Sequence, residues 1–170
     1  VSRNTHFMGA VISAAMSAID VALWDILGKS VGLPVYQLLG GKVRDKVKVF
    51  ANISGRTVED FAANAVKAVE EGYVSLRAMP FLPDFEKQLP TQVIGNAVKI
   101  IGAIRDAVGY EIDLGVEIHR NLRPEEAIAL ANELYTYRIL YYEDPLAPES
   151  NEALEYVARH VNLPIATGER

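Results

Sequence analysis

Apolar residues along this chain recur with two alternating periods, and the alternation is the first structural signal. Short apolar runs stand at 47–53 (VKVFANI), 74–80 (VSLRAMP), 112–118 (IDLGVEI), 139–143 (ILYYE) and 163–167 (LPIAT), with the length and residue types of buried strands. Between them the spacing changes to three and four. Val58, Phe61, Ala62, Ala65 and Val69 form one stripe, opened by Thr57 with Asp60 three residues on and closed by Gly72. Ile94, Val98, Ile101, Ile104 and Val108 form a second stripe that ends at Gly109. Pro124, followed by Glu125 and Glu126, suits the first turn of a third helix. Ser150 suits the cap of a fourth that runs through Leu154 and Val157. The order β-α-β-α-β-α-β-α-β predicts a parallel sheet.

Ahead of these units, Met16, Ile19, Leu23, Ile26 and Leu27 hold a helical apolar face past Asp20, Trp24 and Asp25. The stretch FMGAVISAAMSAI behind Arg3 imitates a signal peptide, but the continuing period predicts a folded amphipathic helix instead. No run reaches the roughly 18 apolar residues of a transmembrane helix, so a cytoplasmic location is expected. The missing initiator Met predicts that the chain begins inside a longer protein or after a processing event.

A parallel α/β sheet is either open and doubly wound or closed as a (β/α)8 barrel. No G-x-G-x-x-G or P-loop pattern follows any of the strands, so the usual phosphate cradle of a nucleotide fold is missing. Polar residues collect instead at the carboxyl ends of several strands, where barrel enzymes build their sites. Five strands then make up a portion of an eight-stranded barrel.

Composition narrows the chemistry. The 170 residues are 50% hydrophobic and 23% charged, an ordinary globular balance. The net charge of −5 comes without a basic run, which argues against nucleic acid and anionic membranes as partners. Small molecules and other proteins remain, and a homo-oligomer is expected. The absence of Cys removes disulfides, thiolate metal sites and Cys nucleophiles together.

The strand ends carry the chemistry. In IDLGVEIHR, Asp113, Gly115, Glu117 and His119 share one parity, so Glu117 and His119 point to the same side. Glu143 ends the next strand and Glu169 follows the one after, so Glu117, Glu143 and Glu169 recur at an interval of 26 residues, one βα unit each. Three consecutive parallel strands would deliver three carboxylates to one rim. Converging carboxylates repel, and a hard divalent cation resolves the repulsion; all-oxygen ligation favours Mg²⁺. The competing reading makes each Glu a solvated loop residue or a partner of Arg120 or Arg170. His6 and His160 fall outside any strand end and are read as non-catalytic.

At this point SAIDVALWDILGKSVGLPVYQLLGG (17–41), RDKVKVFAN (44–52), EIHR (117–120), YYEDP (141–145) and ATGER (166–170) resemble, in this order, the enolase superfamily. The likeness is to its mandelate racemase and acid-sugar dehydratase branch. It implies that residues 1–45 are the helical end of an α+β capping domain with its linker, and that 46–170 hold strands one to five of a modified (β/α)8 barrel. It also implies that Glu117, Glu143 and Glu169 hold Mg²⁺, and that His119 protonates a departing hydroxyl, as in mannonate- and gluconate-dehydratase-like members. The implied reaction removes the proton alpha to a sugar acid's carboxylate and expels the 3-hydroxyl, giving a 2-keto-3-deoxy acid. A racemase or epimerase of the same branch, and a non-catalytic barrel fragment, are the alternatives.

The second strand departs from the branch. Racemases carry Lys-x-Lys there, whereas this chain has Arg77, Ala78 and Met79, and Met cannot abstract a proton. Arg77 resembles the Arg that helps a neighbouring Tyr act as base in mannonate-dehydratase-like sequences, yet PFLPDFEKQLP (80–90) holds no Tyr. Arg77 is therefore read as substrate-binding, with a plain structural cation as the competing role. Asn52 is read as a substrate hydroxyl partner or a turn-forming residue. His119 has the competing role of a rim residue paired with Glu117.

Overall fold

A computed structural model describes residues 9–168, which divide into two compact units between Lys48 and Val49. His6, Glu169 and Arg170 lie outside the described residues.

In the first unit, α1 (Ala10–Val31) is followed by the four-residue α2 (Val35–Leu38), a separate turn that the sequence pattern does not mark. Gly32 ends α1 with φ of 69°, a left-handed conformation that costs Gly little. The N–H of Leu33 donates back to the Gly28 carbonyl at 2.9 Å and that of Gly32 to Lys29 at 3.4 Å, a Schellman-type stop. Gly28 is needed for the same closure, since a Cβ there would stand 2.8 Å from the Leu33 carbonyl oxygen. The expected helix forms, with Ile19, Leu23, Ile26 and Leu27 exposed, and among the described residues of this unit it packs on the short α2. An 18-residue window within the 22-residue α1 has a mean hydropathy of 1.7, enough to cross a membrane by length and composition alone. The expectation that no unbroken apolar run reaches about 18 residues stands, since Asp20 and Asp25 interrupt the stretch.

The second unit is a five-stranded sheet in the order β1-β2-β3-β4-β5, parallel throughout. Its strands are β1 (Ala51–Ile53), β2 (Ser75–Ala78), β3 (Asp113–Glu117), β4 (Tyr141–Glu143) and β5 (Ile165–Ala166), joined by α3 (Val58–Glu70), α4 (Pro90–Val108), α5 (Pro124–Leu134) and α6 (Asn151–His160). This is a partial (β/α)8 barrel. Helix starts follow local chemistry. Thr57 Oγ1 accepts the Asp60 N–H at 3.1 Å and the Asp60 carboxylate accepts the Thr57 N–H at 3.1 Å, a reciprocal cap. Ser150 Oγ accepts the Ala153 N–H at 3.1 Å, and Pro90 and Pro124 occupy first turns.

Strand parity divides the two faces. Leu76, Ala78, Leu114, Val116 and Tyr142 face the helices and are fully buried. They meet Phe61 and Ala65 of α3, Ile100, Ile101 and Ile104 of α4, Leu130 and Leu134 of α5, and Val157 of α6 in one apolar core. The other parity carries the polar residues described below.

At the strands' amino ends, Arg105 of α4 is only 3% exposed. Its guanidinium donates to the carbonyls of Tyr137 (2.8 Å), Gly109 (3.0 Å), Ile112 (2.7 Å) and Arg138 (2.9 Å). It therefore ties the end of α4 to the chain entering both β3 and β4. Arg105→Met is expected to leave these carbonyls without donors and to lower the unfolding free energy by about 3–5 kcal/mol, read as a shift in urea midpoint. Lys at this position is expected to recover little, since an ammonium cannot reproduce the planar fork. A midpoint unchanged in both variants would remove Arg105 as a structural tie.

Candidate active site

Glu117 and Glu143 are the last residues of β3 and β4 and are direct register partners, so their side chains leave the sheet side by side on the interior face. Arg77 lies one layer below, paired with Gly115 in register, and reaches up to both. Its Nη1 donates to Glu143 Oε1 at 2.9 Å and Oε2 at 3.0 Å, and to Glu117 Oε2 at 3.3 Å. Its Nε donates to Asn52 Oδ1 at 3.0 Å, and its guanidinium lies 4.8 Å from the centroid of the Phe50 ring. A cavity of about 250 Å³ opens above, lined by Asn52, Arg77, Met79, Glu117, His119 and Glu143 among others. The structure thus brings Asn52, Arg77, Glu117, His119 and Glu143 together. Glu169 lies outside the described residues; Ala166 of β5 is the register partner of Glu143. His160 stays on its own helix, its Nδ1 2.7 Å from the Tyr156 carbonyl.

The rim is held by strained backbone. His119 and Arg120 have φ of 52° and 65°, and Asp144 has φ of 39°, conformations that cost non-glycine residues about 1–3 kcal/mol each and gather at functional sites. The surroundings enforce them. The His119 N–H donates to Glu117 Oε1 at 2.6 Å, the Arg120 N–H to the Asp144 carbonyl at 2.7 Å, and the Asp144 N–H to the Ala166 carbonyl at 2.9 Å. The side-chain amide of Asn121 closes the turn on the Ile118 carbonyl at 2.9 Å.

Glu117 is 8% exposed. Burial, followed by the neighbouring Glu143, pushes its carboxyl up to about 7, although the His119 N–H and Arg77 pull the other way. Burial, and then Glu143, also raises the phenol of Tyr141. Asp144 is buried as well, and carboxylate oxygens of Glu117, Glu143 and Asp144 all lie within 4.8 Å of one another. Parity along the strand places Asp144 opposite Glu143, so alternation alone misses it; the left-handed turn redirects the residue. The available signal is an acid just past the strand and before Pro145.

The chemistry of the set fits a divalent cation. Three ionised carboxylates against Arg77 leave two net negative charges, and all the ligand atoms are hard oxygens. Burial makes that surplus costly unless a cation offsets it.

Residues 2–40 match the mandelate racemase / muconate lactonizing enzyme N-terminal domain, and residues 60–170 match the enolase C-terminal domain-like family. The chain is 34% identical, over 98% of its length and 47% of the relative's, to a D-mannonate dehydratase of Caulobacter vibrioides. It is 38% identical to a D-gluconate dehydratase of Thermoproteus tenax, over 93% of this chain and 32% of the relative. A solved member of the enolase superfamily from Salmonella Typhimurium superposes with a TM-score of 0.86 at 34% identity, over 96% of this chain and 47% of that one. The chain spans about half the length of the mannonate dehydratases it matches. From two matching domains, a parallel barrel sheet and acids at its carboxyl rim, the chain belongs to the enolase superfamily, in its mandelate racemase / muconate lactonizing enzyme branch.

Proposed function

We propose that the protein containing this chain is a Mg²⁺-dependent dehydratase of a sugar acid. The observation that carries the reading is the register pair Glu117 and Glu143, shared by Arg77 beneath a cavity with His119 on its rim. Relatives named for mannonate and gluconate dehydration support the substrate class.

Glu117, Glu143 and Glu169 would hold the cation, with Asp144 in reach of the same point. The bound ion would supply positive charge for a substrate carboxylate and for the charge that grows there as the alpha proton passes to a base, which no described residue of this chain provides and a later strand of the full-length protein would supply. Arg77 offsets part of the acids' charge and keeps Glu117 and Glu143 side by side. Asn52, fixed by Arg77 Nε, turns a polar group toward the cavity for a substrate hydroxyl. His119 holds the proton delivered to the 3-hydroxyl as the C–O bond breaks. Water is then the leaving group, and the enol product tautomerises to a 2-keto-3-deoxy acid. Met79 stands where β2 ends in this cavity and offers no base, so proton return from that side, which racemisation needs, is not supplied by β2.

The test is a panel of acid sugars incubated with the full-length protein and Mg²⁺, scored for 2-keto-3-deoxy products. Turnover of at least one aldonate that stops on chelation is expected. Epimerised substrate without keto-acid would favour a racemase instead.

A further inference from the structure

Tyr141 sits on the interior face of β4, one layer below Glu143, and its register partner across the sheet is Gly115. Its ring lies where a side chain at Gly115 would be. A Cβ built on Gly115 would stand 2.5 Å from Tyr141 Cε2 and 2.6 Å from its Oη, distances that real Cβ atoms do not tolerate. Gly115 is in turn the register partner of Arg77, so the ring fills the layer directly beneath the two acids and beside the arginine that joins them. Glu117 stands two residues beyond Gly115 on the same parity, as Glu143 stands beyond Tyr141.

We propose that Gly115 and Tyr141 form a matched floor under the carboxylates, and that Tyr141 is a positioning residue whose ring holds Glu117 and Glu143 at the height where they share one cation. The glycine makes the space and the tyrosine closes it. One flat ring then serves two adjacent strands, where two ordinary side chains would compete. With the floor in place, the acids rise toward the cavity and Arg77 instead of sinking into a void or a water pocket. The ring's shape does this, and the hydroxyl is not required. A methyl group at 115 drives the ring into the acids or out of its layer, and a smaller residue at 141 leaves the acids free to spread.

The inference rests on the reading of these acids as cation ligands, and Mn²⁺ titration of the full-length protein, with folding checked by circular dichroism, separates the two. Tyr141→Phe is expected to bind Mn²⁺ within about twofold of the parent. Tyr141→Leu and Gly115→Ala are each expected to lose about 10–100-fold, the scale for residues that orient metal ligands. The double variant Gly115→Ala/Tyr141→Leu is expected to lose less than the two combined, because both act through the ring. Tyr141→Leu binding as tightly as the parent, or a double variant showing the full combined loss, overturns the proposal. If Gly115→Ala does not fold, the contrast between Phe and Leu at 141 decides alone. Parent binding that Glu143→Gln removes, while Tyr141→Leu leaves it intact, keeps the ligand reading and rejects the floor. A folded parent that binds no Mn²⁺ rejects both.

Discussion

Replacing Glu143 by Gln is expected to lower the affinity of the full-length protein for Mg²⁺ by more than about 10²-fold, beyond the range seen when only a supporting partner of a ligand is removed. The amide is nearly the same size, so packing is preserved and the effect is electrostatic. Both Glu143 oxygens accept from Arg77 Nη1, and Glu117 shares that donor. Neutralising Glu143 removes one negative charge from the acids that would attract the ion, while Arg77 stays in place. Calorimetric titration measures the loss; an unchanged affinity would remove Glu143 as a ligand.

The same titration should depend on pH in the parent. Glu117, shifted from 4.5 up to about 7, must lose its proton to bind, so affinity is expected to fall as pH drops below about 7. Folding of the ion-free protein carries the opposite sign. A raised carboxyl stabilises the fold fully below 4.5, and this contribution is lost as pH rises through about 7. Added Mg²⁺ should therefore restore stability most on the alkaline side.

His119→Asn is expected to leave Mg²⁺ affinity close to that of the parent while dehydration falls by about 10²–10⁴-fold, the usual cost of a lost general acid. The backbone N–H of His119, not its ring, serves Glu117, so the substitution spares the carboxylates. Exchange of the substrate's alpha proton with solvent deuterium should survive, because it needs the ion and a base supplied from beyond this chain but no proton for the leaving hydroxyl. Retention of full dehydration by this variant would make the imidazole structural.

The barrel units were legible because each rests on local chemistry. Period two in IDLGVEI, the Thr57 and Asp60 pair, Ser150 and Pro124 mark elements from a few neighbouring residues, and β3, α3, α5 and α6 form where those signals lie. The 26-residue interval placed Glu117 and Glu143 at the ends of neighbouring strands, and they are direct register partners. What escaped depends on the third dimension. Asp144 joins the acids only through a left-handed turn held by Ala166. Arg77 bridges residues 40 and 66 positions away, and no spacing rule carries such a reach.

The four-carbonyl clamp at Arg105 bears on how such a barrel diversifies. It fastens the entry to β3 and β4 at the end of the sheet opposite the acids, so rigidity is anchored at one pole and chemistry displayed at the other. Changes in the loops after β2 and β3 can then accumulate with little loss of integrity, because what keeps these strands in line is not among the residues being exchanged. A lineage exploring new substrates would vary one pole while the carbonyl clamp at the other keeps β3 and β4 in line.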